Sequence, residues 1–120
     1  MNDRFKFRVW QTELKQPKMK YNSGLVIGNN QILQDGCIVM QCTGLKDKNG
    51  KLIYEGDVVR VHRNHLGEHF VGKDYVVKFY QYQYWLHNCG YHPLSDFSYR
   101  ANQNLEIIGN IYENKELLND

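Results

Sequence analysis

Glu55 and Asp57 stand two residues apart with Gly56 between them. On an extended strand such a pair projects to one face, where two carboxylates can share a divalent cation or work as an acid and a base. The same residues also make an ordinary turn. Gly56 supplies permissive backbone geometry, Asp57 accepts from neighbouring amides, and Glu55 is left solvated or beside a Lys or Arg. Turn chemistry accounts for all three residues together, so Glu55, Gly56 and Asp57 are read as a structural turn and not as a catalytic pair.

His87, Cys89 and His92 have the spacing of metal ligands, with Cys42 a conceivable fourth. Structural zinc sites draw on cysteine pairs two to four residues apart, and the sequence contains no such pair. His62, His65 and His69 follow neither a helical ligand motif nor strand alternation, and beside Arg60 and Arg63 they read as surface loop residues. No Gly-x-Ser-x-Gly elbow, phosphate loop or dinucleotide fingerprint occurs. The expectation is a protein that is not an enzyme, with no catalytic residue, no cofactor and no metal.

Tyr80, Tyr82, Tyr84 and Trp85 are the third chemical feature, with Lys78, Tyr91 and His92 nearby. Such rings can stack on the bases of a single-stranded nucleic acid or line a groove for a peptide. Alternatively, one face fills a core and the other meets a second copy of the chain. Two aromatic faces on one strand exceed what a small barrel buries, so these four residues are the candidate partner or self-association surface. Alternation places Tyr80, Tyr82 and Tyr84 on one face and Gln81, Gln83 and Trp85 on the other, without deciding which faces out.

The elements that must position these residues follow from composition and pattern. The chain has 120 residues, 42% of them hydrophobic, which suits one domain over 1–120. Alanine occurs once, at Ala101, against 16 Val and Ile, 12 Asn and 16 aromatics, a strand and turn composition. No apolar run approaches the roughly 18 residues of a membrane helix, and Met1 to Arg4 lack an apolar signal core. A soluble cytoplasmic protein without membrane association is expected. The net charge is only +2, but the first half carries +4 and the second −2. The early excess (Arg4, Lys6, Arg8, Lys15, Lys18, Lys20) reads as a solvated face, with a phosphate-binding patch as the alternative. Three cysteines, Cys37, Cys42 and Cys89, suggest a reducing compartment. Cys37 and Cys42 on one strand would stand roughly 16 Å apart, too far for a disulfide.

Along the chain, Phe5, Phe7 and Val9 alternate with Lys6 and Arg8, predicting a strand with one core face and one cationic face. Residues 11 to 34 are polar, an excursion with one or two short strands near Leu25–Ile27 and Ile32–Leu33. Strands are further predicted at Cys37–Thr43, Leu52–Tyr54, Val58–Val61, Tyr75–Tyr80, Tyr82–His87 and Leu105–Tyr112, the last with a bulge or close approach at Gly109. The segments around 75–87 read as two strands or one long bent one. Asn49-Gly50 marks a tight turn, and Glu113–Leu118 is long enough for one helical turn. The fold class is mainly β: a small SH3-like β-barrel with an irregular N-terminal excursion and a short C-terminal helical turn.

Those segments, taken in order, resemble the YopX-like proteins of bacteriophages and prophages over nearly the whole chain. The likeness rests on Arg4, Phe5, Phe7, Arg8 and Trp10, then on Met40, Gln41 and Thr43 to Lys51, and on Ile53 to Val59. Pro93 to Phe97 and Glu106 to Asn114 complete it, while Gln11 and Leu52 depart from the usual acidic residues. The resemblance implies an SH3-type barrel core and a phage or prophage origin, and it implies no activity and no catalytic residues. The resulting expectation is a non-catalytic binding or assembly module in the bacterial host cell. It would be a homo-oligomer or engage a host or phage protein. The alternative is a nucleic-acid-binding accessory protein using the basic N-terminal region and the tyrosines.

Overall fold

The computed structural model describes residues 6–11, 17–21, 37–62, 68–88, 90–97 and 100–118. Among them are nine strands: β1 (Phe7–Gln11), β2 (Lys18–Tyr21), β3 (Cys37–Lys46), β4 (Leu52–Tyr54), β5 (Asp57–Val61), β6 (Asp74–Tyr80), β7 (Gln83–His87), β8 (Tyr91–Pro93) and β9 (Leu105–Asn110). They make a mainly β protein of two sheets, one half-barrel-like, with strand orders β2-β1-β3-β4 and β8-β7-β6-β5-β9. A single helical turn, α1 (Ala101–Asn104), leads into β9.

The apolar positions of the second sheet converge on one core. Val59, Val61, Tyr75, Val77, Leu86 and Leu105 pack there with Ile53 from β4 and with Phe70, Leu94 and Phe97 from two 3₁₀ turns. Val77 lies opposite Leu86 in the β6–β7 ladder, so every second residue on each strand, Tyr75 and Tyr84 included, shares that inner face.

Two turns and a bulge hold the strands in register. Between β3 and β4 the buried Asp47 accepts through Oδ1 from the amides of Asn49 and Lys51, both at 2.9 Å, and through Oδ2 from Ile107 of β9, also at 2.9 Å. Gly50 in that turn has φ +80°, a region that L side chains avoid. Between β4 and β5, Gly56 takes φ +91°; its N–H donates to Val77 O at 2.8 Å, and the Glu55 N–H donates to Gln41 O at 3.0 Å. That turn joins the two sheets. In β9 the register shifts between the partners of Val58 and Val59, a bulge beside Gly109. A Cβ there would lie 2.6 Å from Asn114 Oδ1 and 2.8 Å from Leu117 Cδ1. The glycine thus admits the C-terminal 3₁₀ turn, Lys115–Leu118, against the sheet.

Several sequence expectations change. Arg8 is not on a solvated cationic face: its side chain is 2% exposed. The segments around 75–87 are two strands, and the turn between them falls at Gln81 and Tyr82, both at positive φ. Tyr82 therefore belongs to no strand face. The expected helical turn over 113–118 is a 3₁₀ turn over Lys115–Leu118. Two strands stand where none was expected: β2, which lies in a polar stretch, and β8, which has only three residues. Leu25–Ile27, Ile32–Leu33, His65 and Cys89 lie outside the described residues, as does the side chain of Cys37.

Candidate functional site

The antiparallel register decides what the aromatic hairpin presents. Tyr80 pairs with Gln83, Phe79 with Tyr84, Lys78 with Trp85 and Val76 with His87; on the other side of β7, Trp85 pairs with Pro93 and His87 with Tyr91. Paired residues share a face. Lys78, Tyr80, Trp85, His87 and Tyr91 therefore stand together on the outer face, and Phe79, Tyr84, Leu86 and His92 on the inner one. Tyr80, Tyr82 and Tyr84, expected on one face, go to three places: outer face, turn and inner face.

The outer rings touch one another. Tyr91 is central, with His87 at 4.3 Å between ring centroids, Trp85 at 6.0 Å in an edge-to-face arrangement and Tyr80 at 6.2 Å. Lys78 Nζ lies 5.9 Å from the centre of the same ring, within cation–π range. Trp85 is fixed by its indole N–H, which donates to Tyr80 O at 2.8 Å. Much of this surface meets water: Tyr80 is 58% exposed, Tyr91 51% and Tyr82, at the tip, 97%. Gln81 and Tyr82 sit at φ 50° and 68°, where glycine or asparagine is the usual occupant. Holding a tyrosine in that geometry costs of order 1 kcal/mol and displays its ring to solvent.

Tyr84 faces inward. Its hydroxyl donates to Cys42 O at 3.2 Å, and its ring lies 4.9 Å from Phe79. Burial, with the Glu55 carboxylate adding to it, pushes that hydroxyl up to about 12. His92 also turns inward, edge-on to Phe70 at 5.1 Å and to Tyr75 at 5.9 Å. His87 and His92 consequently lie on opposite faces of the β7–β8 ribbon. His62 lies 2.7 Å from Glu106. Among the described residues no three His, Cys, Asp or Glu side chains gather as a metal-holding group.

Behind the hairpin, the Glu55-Gly56-Asp57 turn is built around Arg8. Arg8 Nη2 lies 2.8 Å from Asp57 Oδ1 and also donates to Glu55 O at 3.1 Å, while Asp57 Oδ2 accepts from the Tyr54 amide at 2.7 Å. The guanidinium lies 4.9 Å from the ring centre of Tyr54 and 5.8 Å from that of Tyr21, and Nη1 donates to the Tyr21 hydroxyl at 3.3 Å. Burial, which penalises the charged form, outweighs Arg8 and the Tyr54 amide and pushes the Asp57 carboxyl up to about 6. Burial also raises the Glu55 carboxyl. Both Asp57 oxygens are committed to the fold, so the two carboxylates are held apart in function: Asp57 joins β1 to β5, and Glu55 supplies a backbone acceptor.

The profile of the YopX protein family matches residues 8–119. The chain belongs to the YopX family. Its fold is similar to that of a crystal structure of protein EF1440 from Enterococcus faecalis, with a TM-score of 0.57 and 23% sequence identity, covering 94% of this chain and 96% of that one. No curated protein matches the chain. The family match begins at Arg8, the residue that carries the buried ion pair, and runs through the aromatic hairpin to the C-terminal turn. No helix among the described residues is long and apolar enough to cross a membrane.

Sequence reasoning had the turn at Gly56 and the aromatic hairpin in view but missed three participants. Arg8 carried the signature of an exposed strand position. Asp47 sat in a run of charged residues, though an Asp two residues before Asn-Gly is itself a turn signal. His87 was weighed only as a ligand, whereas its cross-strand pairing with Tyr91 makes it part of the ring cluster.

Proposed function

We propose that this YopX-family chain is a non-catalytic binding or assembly module, made by a phage or prophage and acting in the host cytoplasm. It associates with itself through the outer face of the β6–β7–β8 ribbon. The observation that carries this reading is the concentration of Tyr80, Trp85, His87 and Tyr91 on one sheet face, beside Tyr82 at the tip. Fully burying an aromatic side chain removes on the order of 150 to 250 Å² from water, Tyr80 and Tyr91 still expose more than half of theirs, and a symmetric second copy always brings the matching patch. The net charge of +2 offers weak repulsion against association. An SH3-type closure of the two sheets belongs to the same reading; hydrogen bonds from the turn at Glu55 and Gly56 to Gln41 and Val77 support it.

Light scattering at micromolar concentration tests the proposal. The expected mass is a multiple of the 14.2 kDa chain, reduced toward the monomer by Tyr80→Ser and by Trp85→Ser. A strictly monomeric mass unchanged by either substitution would remove self-association and leave these rings to a foreign partner. The nucleic-acid alternative is less economical. Lys6, Arg8 and Lys20 belong to the first sheet and its approach, the exposed tyrosines of the hairpin to the second, and Arg8 is committed to Asp57.

A further inference from the structure

A groove of about 570 Å³ runs between the outer face of β5–β6–β7 and the C-terminal 3₁₀ turn. Its size is that of sites that take a few side chains. Val58, Val76, Ile111 and Leu117 line its apolar side, and Lys73, Lys78 and His87 its polar side. Asp74 also lines it, but Arg60 holds both of its carboxylate oxygens, at 2.8 and 3.2 Å. Among the described residues neither Lys73 nor Lys78 has a carboxylate partner. The His87 Nδ1–H donates to Gly90 O at 3.0 Å, since a carbonyl can only accept, which fixes the ring beside the groove.

We propose that this groove is a docking site for a short acidic peptide, with an apolar side chain seated between Val76 and Leu117 and a neighbouring carboxylate held by Lys73 and Lys78. Charge complementarity selects the occupant: the groove's one carboxylate is neutralised from within, and its two lysines are not. Strand addition is closed to the ligand here, because β5, β6 and β7 are interior strands whose backbone groups already pair on both sides. Recognition therefore rests on side-chain insertion and charge. Two lysines in a half of the chain that carries net −2 are too few to follow a phosphate backbone, so a peptide fits better than a nucleic acid. This goes beyond self-association: the groove shares Lys78 and His87 with the outer face but takes in none of Tyr80, Tyr82, Trp85 and Tyr91.

Fluorescence anisotropy with a labelled Asp-Leu-Asp-Leu-Asp peptide tests it, using Asn-Leu-Asn-Leu-Asn and a labelled thymidine oligonucleotide as competing probes. The acidic peptide should bind saturably. Lys73→Glu, at an exposed position, and Lys78→Glu, at a half-buried one on the outer face, both verified as folded by circular dichroism, should each weaken it at least fivefold. Tyr80→Ser should leave peptide binding within twofold, whatever it does to the mass, which separates peptide binding from self-association. Equal binding of the amide peptide, tighter binding of the oligonucleotide, or no binding of the acidic peptide would each overturn the proposal.

Discussion

Arg8 and Asp57 meet at 2.8 Å with each side chain 2% exposed, joining the first strand of one sheet to the first strand of the other. They are 49 positions apart in sequence, and the pair closes over the Gly56 turn. Its two members do not contribute alike. The guanidinium is held by Asp57, Glu55 O and two tyrosines, whereas burial has already moved the Asp57 carboxyl toward its neutral form.

Arg8→Met should therefore destabilise the protein by about 3 to 5 kcal/mol, because it leaves a buried carboxylate without its counter-charge. Asp57→Asn should be milder, since the amide oxygen still accepts from Tyr54 N–H or from Arg8. Urea unfolding of the two variants ranks them; equal losses would mean that the carboxylate charge matters as much as the guanidinium.

The pH dependence follows in sign from the same carboxyl. Its folded value of about 6 stands above the ordinary aspartate value of 3.8, so the folded state holds the proton more tightly than the unfolded chain. The stability contributed by that proton is fully present below about pH 4 and is lost as pH rises through 6. Measured against Asp57→Asn, the wild-type chain should lose on the order of 3 kcal/mol between pH 4 and pH 7. A difference that stays flat over this window would place the carboxyl at its ordinary value.

Gly56→Val should cost about 1 to 3 kcal/mol through its φ alone. A Cβ would also lie 2.9 Å from Met40 Sδ and 3.6 Å from Arg8 Nη2, so the added side chain presses on the ion pair as well as on the backbone. A melting temperature within one degree of wild type would contradict this account of the turn.

Asp47→Ala removes the acceptor of three backbone amides, those of Asn49, Lys51 and Ile107. The expected loss is about 2 to 4 kcal/mol, with earlier hydrogen exchange at the Ile107 amide. Exchange at Ile107 as slow as in the wild type would show that another acceptor takes over.

Tyr82→Gly has two effects of opposite kind. Relieving the positive φ should raise stability by about 1 kcal/mol, while removing the most exposed ring should weaken self-association. Thermal melts and light scattering on one preparation read both. A variant both less stable and equally associated would refute the reading of Tyr82 as a displayed residue.

Local chemistry was enough to place much of this fold in the sequence. Alternating Val, Ile and aromatics mark β5, β6, β7 and β9, Asn49-Gly50 marks a turn that Gly50 makes with positive φ, and Gly109 marks a close approach that the C-terminal turn fills. These signals depend on a residue and its near neighbours, so they survive without a structure. The position of the hairpin turn did not, because Gln81-Tyr82 lacks the Asn or Gly that ordinarily announces positive φ. Without that point the parity of every ring after it is undefined: a turn at 81–82 puts Trp85 with Tyr80 and sends Tyr84 inward. The burial of Arg8 was equally invisible, since a charge on a strand reads as solvent-facing until a carboxylate 49 positions away is folded against it. Pairings of that range depend on how two sheets close on each other, and only the tertiary structure decides them.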